Sequence, residues 1–140
     1  GIAHMDDNTE MSKNIGKFLK EYIKHLEYED IHYVLDLYQV FPDDLIKAYS
    51  DESHITVYLG YSTLSAKDKL KFVRRHARDK DWTKQTCDDE MTNILNMFIK
   101  ESRLMQSQCI ETDIPFFDTG ISFDDSMEYA YRYITSQIMG

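Results

Sequence analysis

Basic residues are concentrated in one segment of the 140-residue chain. Between Lys67 and Lys84 lie eight of the sixteen basic residues and only three acids, so this segment carries about +5 while the whole chain carries −9. A cationic patch on an acidic body suits a small anionic ligand and argues against general nucleic-acid binding. Arginine matches phosphate oxygens well because its planar fork donates two parallel hydrogen bonds. We therefore predict that Arg74, Arg75 and Arg78 contact phosphate, with a merely solvated helix face or a nucleic-acid contact as the alternatives.

A lone carboxylate stands in the apolar run 31–40, whose sequence is IHYVLDLYQV. The β-branched and aromatic residues of this run are typical of a strand buried on both faces. An acid within such a strand must be paired or lie at the rim of the sheet. Asp36 is therefore a candidate catalytic residue, and a structural hydrogen-bonding role is the alternative.

The string Asp118-Thr119-Gly120 follows a short apolar run, as the catalytic carboxylate does in pepsin-like and retroviral proteases. Those proteases are all-β, whereas most of this chain has helical periodicity and a capped helix begins two residues after the glycine. The segment 115–119 is instead predicted to be a strand that ends in a glycine turn before that helix.

Helical and strand-like patterns alternate along the chain. The predicted helices are 12–27, a short one from Pro42, 65–78, 88–111 and one from Ser122, and the predicted strands are 31–40, 54–61 and 115–119. Ser65 and Ser122 are predicted N-caps because an aspartate stands three residues after each. This alternation predicts an α/β fold of three layers, in which a short parallel sheet is flanked by helices.

Length and composition predict a single domain or fragment over residues 1–140, with residues 1–11 flexible or derived from a tag. No apolar run is long enough for a membrane span and no signal peptide is visible, so we expect a cytoplasmic protein without membrane contacts. Cys87 and Cys109 have no metal-ligand spacing around them and are predicted to be buried or unreactive thiols.

An ordered set of short motifs runs through residues 31–135. It consists of VLDLYQVFP, Leu59-Gly60-Tyr61, Ser65-x-x-Asp68-Lys69-Leu70, Arg74, Asp81-Trp82-Thr83, Ser102, Cys109 and IPFFDT before the last helix. In this order the set resembles a group of bacterial P-loop proteins, the adenylate-kinase-like or AAA-family ATPases near 2-phosphoglycerate kinase and other small-molecule kinases. VLDLYQVFP matches their third strand and the turn that follows it.

The resemblance implies an incomplete P-loop NTPase-like fold with ATP and Mg²⁺ as cofactors. It implies a nucleotide or a small phosphoryl acceptor as the partner, and it leaves homo-oligomerisation open. The three arginines of the basic segment would lie in or beside a lid over the ATP phosphates, and Asp36 would lie near the magnesium. Asp118 and Thr119 would lie in the loop beside the adenine.

The chain departs from that family because it contains no Walker A motif, Gly-x-x-x-x-Gly-Lys-Ser/Thr. The nearest string, MSKNIGKF at 11–18, has Met11 and Phe18 at the required glycine and hydroxyl positions and lies in a predicted helix. We expect the chain to be the C-terminal part of a kinase-like protein for ATP-dependent phosphoryl transfer to a small molecule, inactive alone. The alternative is a non-catalytic α/β binding or protein-interaction domain.

Overall fold

A computed structural model describes residues 5–49 and 54–140 of the chain. Over these residues the protein is mostly helical and contains one small sheet of two parallel strands. The elements in chain order are α1 (Met5–Tyr28), α2 (Pro42–Leu45), β1 (Tyr58–Gly60), α3 (Ala66–His76), α4 (Trp82–Gln85), α5 (Asp88–Thr112), β2 (Phe116–Asp118) and α6 (Phe123–Met139). The general α/β class is confirmed, with strands shorter than the sequence predicts.

The strands β1 and β2 run in the same direction. Tyr58 lies opposite Phe116, and Gly60 lies opposite Asp118. The ladder closes where the Thr119 N–H donates to the Gly60 carbonyl at 2.7 Å. Both strands therefore end at one edge of the sheet, and this edge carries the loops that lead into α3 and α6.

The two strands are covered on both faces. Because successive residues of a strand point to opposite faces, Gly60 and Phe117 identify the two sides. A Cβ on Gly60 would lie 2.7 Å from the Phe116 ring and 3.0 Å from the Ser102 hydroxyl, which belongs to α5. Phe117 instead packs against Tyr133 of α6, with ring centroids 6.4 Å apart. Thus α5 covers one face and α6 covers the other, as a parallel pair requires.

Two apolar clusters hold the helices in place. The first joins α1 to α2 and contains Leu19, Ile23, Val40, Leu45 and Ala48. The second joins α3 to α5 and contains Ala66, Met91, Leu95 and Ile99, with Leu70 and Val73 packed against it. The second cluster uses one side of α3, so the opposite side of this helix is left to face the loop edge of the sheet.

The predicted strand at 31–40 is wrong, because this segment pairs with no strand in the described part of the chain. Its side chains still alternate between packed and exposed positions along residues 33–36. Tyr33 and Leu35 pack against the first cluster, whereas Val34 is 95% exposed and Asp36 is also exposed. A strand needs a hydrogen-bonded neighbour as well as an apolar pattern. The segment is therefore a connection without helix or strand that rests one face on the core.

The amino-terminal helix is longer than the sequence predicts. It begins at Met5, so residues 5–11 belong to a helix, while residues 1–4 lie outside the described ranges. That residues 1–11 are flexible or derived from a tag stays a prediction. Ser12 is fully buried and attaches α1 to the start of α2. Its hydroxyl accepts from the Phe41 N–H at 2.8 Å and donates to the Asp44 carboxylate at 2.6 Å. Residues 11–18 lie within this helix, which confirms that they do not form a P-loop.

Both predicted N-caps are confirmed. The Ser65 side chain accepts a hydrogen bond from the Asp68 N–H, and the Ser122 side chain accepts one from the Asp125 N–H. Each satisfies an amide that has no partner within the first turn of its helix. Helix α3 ends at His76, two residues before the predicted end, and the single turn α4 was not predicted.

The two cysteines differ in their exposure to solvent. Cys109 is buried, and burial raises the pKa of its thiol to about 11. Cys87 is exposed at the N-cap of α5, so only one of the two thiols is buried.

Over the described residues no helix is long and apolar enough to cross a membrane.

Candidate functional site

Asp118 joins the two loops at the carboxyl edge of the sheet. Its Oδ2 accepts from the Ser62 hydroxyl at 3.0 Å, the Thr63 hydroxyl at 2.8 Å and the Thr63 N–H at 3.2 Å. Its Oδ1 accepts from the Gly120 N–H at 2.8 Å. Four donors from two loops therefore meet on one carboxylate, which fixes the loop after β1 against the loop after β2.

The ionisation of Asp118 follows from these contacts. Burial by itself would raise the pKa of the carboxyl, but hydrogen bonds from Gly120, Thr63 and Ser62 outweigh it and lower the pKa below its ordinary value. The carboxylate is therefore charged at neutral pH, as four donors require. Its acceptor capacity is largely used inside the protein.

Thr119 also works within the loop. Its N–H donates to the Gly60 carbonyl at 2.7 Å, and its hydroxyl donates to the same oxygen at 3.1 Å. Together with Asp118, Thr119 holds the predicted adenine loop in place through contacts to the protein. The two residues lie at the carboxyl edge of the sheet, and their recognition of adenine stays a prediction.

We call the hydrogen bonds that join Asp118 to Ser62, Thr63 and Gly120 the brace. A shallow cavity of about 530 Å³ lies beside it, between α3 and the loop that follows β2. Its lining comprises Thr63, Leu64, Asp68, Lys71, Phe72, Arg75, Gly120 and Ile121. Thr63 and Gly120 are two of the three residues that donate to Asp118, so the brace also shapes the cavity wall. The cavity therefore lies at the carboxyl ends of two parallel strands, where open α/β sheets bind their ligands.

One side of α3 supplies the charged wall of the cavity. Asp68, Lys71, Phe72 and Arg75 have the spacing i, i+3, i+4, i+7, which places them on one helix face. The Lys71 ammonium lies 3.1 Å from the Asp68 carboxylate, and both groups are largely exposed. Hydrogen bonds from Ser65 and Lys71 lower the pKa of Asp68. This face thus presents two cations and one carboxylate to the cavity.

Arg74 faces away from the cavity and connects helices. Its guanidinium donates to the Asp88 carboxylate at 2.7 Å and to the Thr86 carbonyl at 2.5 Å, and it also donates to the Thr83 carbonyl. Its side chain is only 28% exposed. The predicted contact of Arg74 with phosphate stays a prediction, but the side chain is already occupied in attaching α3 to α4 and the start of α5.

The other two predicted catalytic residues lie apart from the cavity lining. Arg78 follows the end of α3, and its backbone N–H donates to the Asp81 carboxylate at 2.8 Å. Asp36 is exposed on the connection 31–40. Of the predicted arginines, Arg75 is thus the one that the fold places on the cavity.

Lys69, which is not part of the cavity lining, lies close to Asp118. The Lys69 ammonium lies 4.1 Å from the centroid of the Tyr61 ring. Burial lowers the pKa of Lys69, and the negative charge of Asp118 opposes that shift. Burial raises the pKa of Tyr61 to about 12, with Tyr38 and Glu101 adding to the effect. Lys69 therefore packs over the end of β1 as a partly buried cation beside an ionised carboxylate.

Seven of the eight cavity residues, including Lys71 and Phe72, are not among the predicted site residues. The sequence did carry a signal for Lys71 and Phe72, since they stand three and four residues after the capping-box Asp68 and before Arg75. The arginines were chosen by residue type, whereas the helix face decides which side chains reach the cavity.

Comparisons with known proteins and metal-site geometry add few constraints. Comparison of the chain with protein-family models, curated proteins and solved structures yields no match. Within the described ranges, no three His, Cys, Asp or Glu side chains gather in a way that could hold a metal ion. Magnesium that arrives with a nucleotide needs only one or two protein carboxylates, so this geometry does not test the magnesium expectation.

Proposed function

We propose that the chain binds the phosphate groups of a nucleotide in the cavity beside α3, as part of a kinase-like protein that transfers phosphoryl groups to a small molecule. The observation that carries the proposal is the position of Lys71 and Arg75. They lie one turn apart on α3, and both line the cavity at the carboxyl edge of the sheet.

The placement favours an anion for two physical reasons. Lys71 provides a compact point charge, and Arg75 provides a planar fork that matches two phosphate oxygens. The cavity also borders Thr63 and Leu64, which precede the N-terminal end of α3. The positive end of a helix dipole adds to the attraction of a nearby anion. Both effects act on one side of the cavity.

Asp68 opposes this attraction in part, because it places a carboxylate in the same wall. Its pairing with Lys71 at 3.1 Å also orients that ammonium toward the cavity side of the helix. The lining carries two cations against one anion, so its balance is positive although the chain as a whole carries −9. A positively charged cavity on a negatively charged protein suits a small anionic ligand.

The kinase-like part of the proposal rests on the ordered motifs in residues 31–135 and on the parallel pairing of β1 with β2. The chain contains no Walker A motif, so catalysis would require a phosphate-binding loop from elsewhere. Mg²⁺ would arrive with the nucleotide, and Asp68 is the carboxylate in the cavity lining. The binding of the nucleotide is therefore the activity to test on this chain.

The test is calorimetric titration of the chain with ATP and Mg²⁺. We expect wild-type protein to bind and each of Lys71→Ala and Arg75→Ala to weaken binding by about 10-fold, as loss of a charged hydrogen bond does. Arg132→Ala is the matched control, because it removes an exposed arginine of α6 that lies outside the cavity lining. Equal affinities of all four proteins, or no binding by wild type, would contradict the proposal.

A second candidate function, a non-catalytic interaction domain, is favoured by a different surface. Helix α6 exposes a stripe of apolar side chains at helical spacing, Phe123, Met127, Tyr131 and Ile138. Exposed apolar stripes of this kind are typical of contacts between helices. Sedimentation velocity of wild type and Tyr131→Glu tests self-association through this face. A monomer at every concentration, unchanged by the substitution, would contradict a homo-oligomeric role.

A further inference from the structure

The cavity has an apolar wall that a phosphate group alone would not use. Leu64, Phe72 and Ile121 line it together with the charged residues. Phe72 is 44% exposed and Ile121 is 78% exposed, so both present apolar surface to solvent at the mouth of the cavity. Covering such surface stabilises a complex in proportion to the area removed from water.

The apolar wall adjoins the cations directly. Phe72 follows Lys71 in the chain, and the Arg75 guanidinium carbon lies 5.7 Å from the centroid of the Phe72 ring. A ligand whose phosphate contacts Lys71 and Arg75 therefore has Phe72 within reach of the group attached to that phosphate. A flat ring suits this position, since aromatic side chains stack on aromatic rings and bases with little selectivity for their substituents.

We propose that Phe72 is a specificity-determining residue of this cavity. The ligand would carry an aromatic ring in addition to its phosphate, and this ring would pack against Phe72 and Ile121. The inference rests on the proposed nucleotide-phosphate site and adds the residues that the aromatic ring of the ligand contacts. The volume of about 530 Å³ is in the range that holds a small organic ligand. Inorganic phosphate or a sugar phosphate would satisfy the cations and leave the apolar wall in water.

A matched pair of probes isolates the ring. Adenosine 5′-monophosphate and ribose 5-phosphate share the sugar and the phosphate and differ in the base alone. Calorimetric titration of wild-type chain is expected to give at least 10-fold tighter binding of the nucleotide, which is the size of effect that one stacked base produces. Phe72→Ala is expected to remove most of this preference and to leave the affinity for ribose 5-phosphate unchanged.

Two further variants complete the test. Phe72→Leu keeps an apolar side chain without the ring and is expected to retain only part of the preference. Phe18→Ala removes an exposed phenylalanine from α1, outside the cavity lining, and is expected to behave as wild type.

The outcomes separate the two proposals. If both probes bind equally and Phe72→Ala changes neither affinity, the ring assignment is overturned while the phosphate site stands. If neither probe binds, or if Lys71→Ala and Arg75→Ala leave both affinities unchanged, the phosphate site fails and the ring assignment fails with it. Circular dichroism of each variant shows whether a loss of binding accompanies a loss of fold.

Discussion

Arg74 and Arg75 are neighbours in the chain and carry the same side chain, yet they lie on different sides of α3. Arg74 donates to a carboxylate and two carbonyl groups on the side of α4 and α5. Arg75 lines the cavity, where it contacts the Phe72 ring. One residue along a helix rotates the side chain by about 100°. The difference shows that a cluster of basic residues has to be divided by helix face before any of them is given a role.

The largest effect on stability is expected from Arg74→Ala. Three acceptors would lose their donor, and two of them are carbonyl groups near the junction of α4 and α5. We expect the free energy of unfolding to fall by about 2–3 kcal/mol, because hydrogen bonds from charged groups are worth more than neutral ones. Urea unfolding measures this change. Arg74→Lys should restore little, since an ammonium cannot reproduce the planar fork.

Asp118→Asn is expected to have the next largest effect. The amide keeps one acceptor oxygen for the four donors and places an NH₂ group among the remaining ones. We expect a loss of about 1–2 kcal/mol in the free energy of unfolding. Asp125→Asn is a control, because Asp125 is exposed on α6 and its N-cap bond is made by the backbone. Equal stability of the two variants would show that the brace contributes little.

The charge of Asp118 adds a pH dependence to that difference. The folded state lowers the pKa of this carboxyl, so its contribution is complete above the unfolded pKa and is lost as the pH falls through the folded pKa. The stability gap between wild type and Asp118→Asn should therefore be constant near pH 7 and shrink below about pH 5. Urea titrations at pH 7, 5 and 3 measure the gap. A gap that grows on acidification would contradict the assigned direction.

The smallest change in stability is expected from Arg75→Ala. Its side chain is exposed and lies beside the ring of Phe72 on the same helix. Surface substitutions of this kind usually change the free energy of unfolding by less than about 0.5 kcal/mol. A loss as large as that of Arg74→Ala would mean that the two arginines do not differ in the way described.

The sequence carries the parts of the fold that depend on local contacts. The caps at Ser65 and Ser122 and the long helix α5 follow from residue types at fixed spacing, and all three are present. The turn after β2 was also predictable, because a short apolar run meets Gly120 and a capped helix. These features need only neighbours within a few residues.

The features that depend on distant partners were not predictable in the same way. The segment 31–40 has the residues of a strand, but no described strand pairs with it, and so Asp36 is exposed. Nothing in the local pattern distinguishes a paired strand from a connection that rests one face on the core. Likewise three of the four donors to Asp118 come from a loop more than fifty residues earlier, at Ser62 and Thr63. Their convergence depends on the parallel pairing of β1 and β2.

The central claim is that the cavity side of α3 binds phosphate while the other side holds the helices together. Ligand-induced stabilisation tests it most directly, because only a ligand bound to the folded state raises the melting temperature. With ATP and Mg²⁺ at about ten times the wild-type Kd we expect a clear increase for wild type and for Arg132→Ala, and an increase of less than half that size for Arg75→Ala. Equal increases in all three proteins, or no increase in wild type, would contradict the claim.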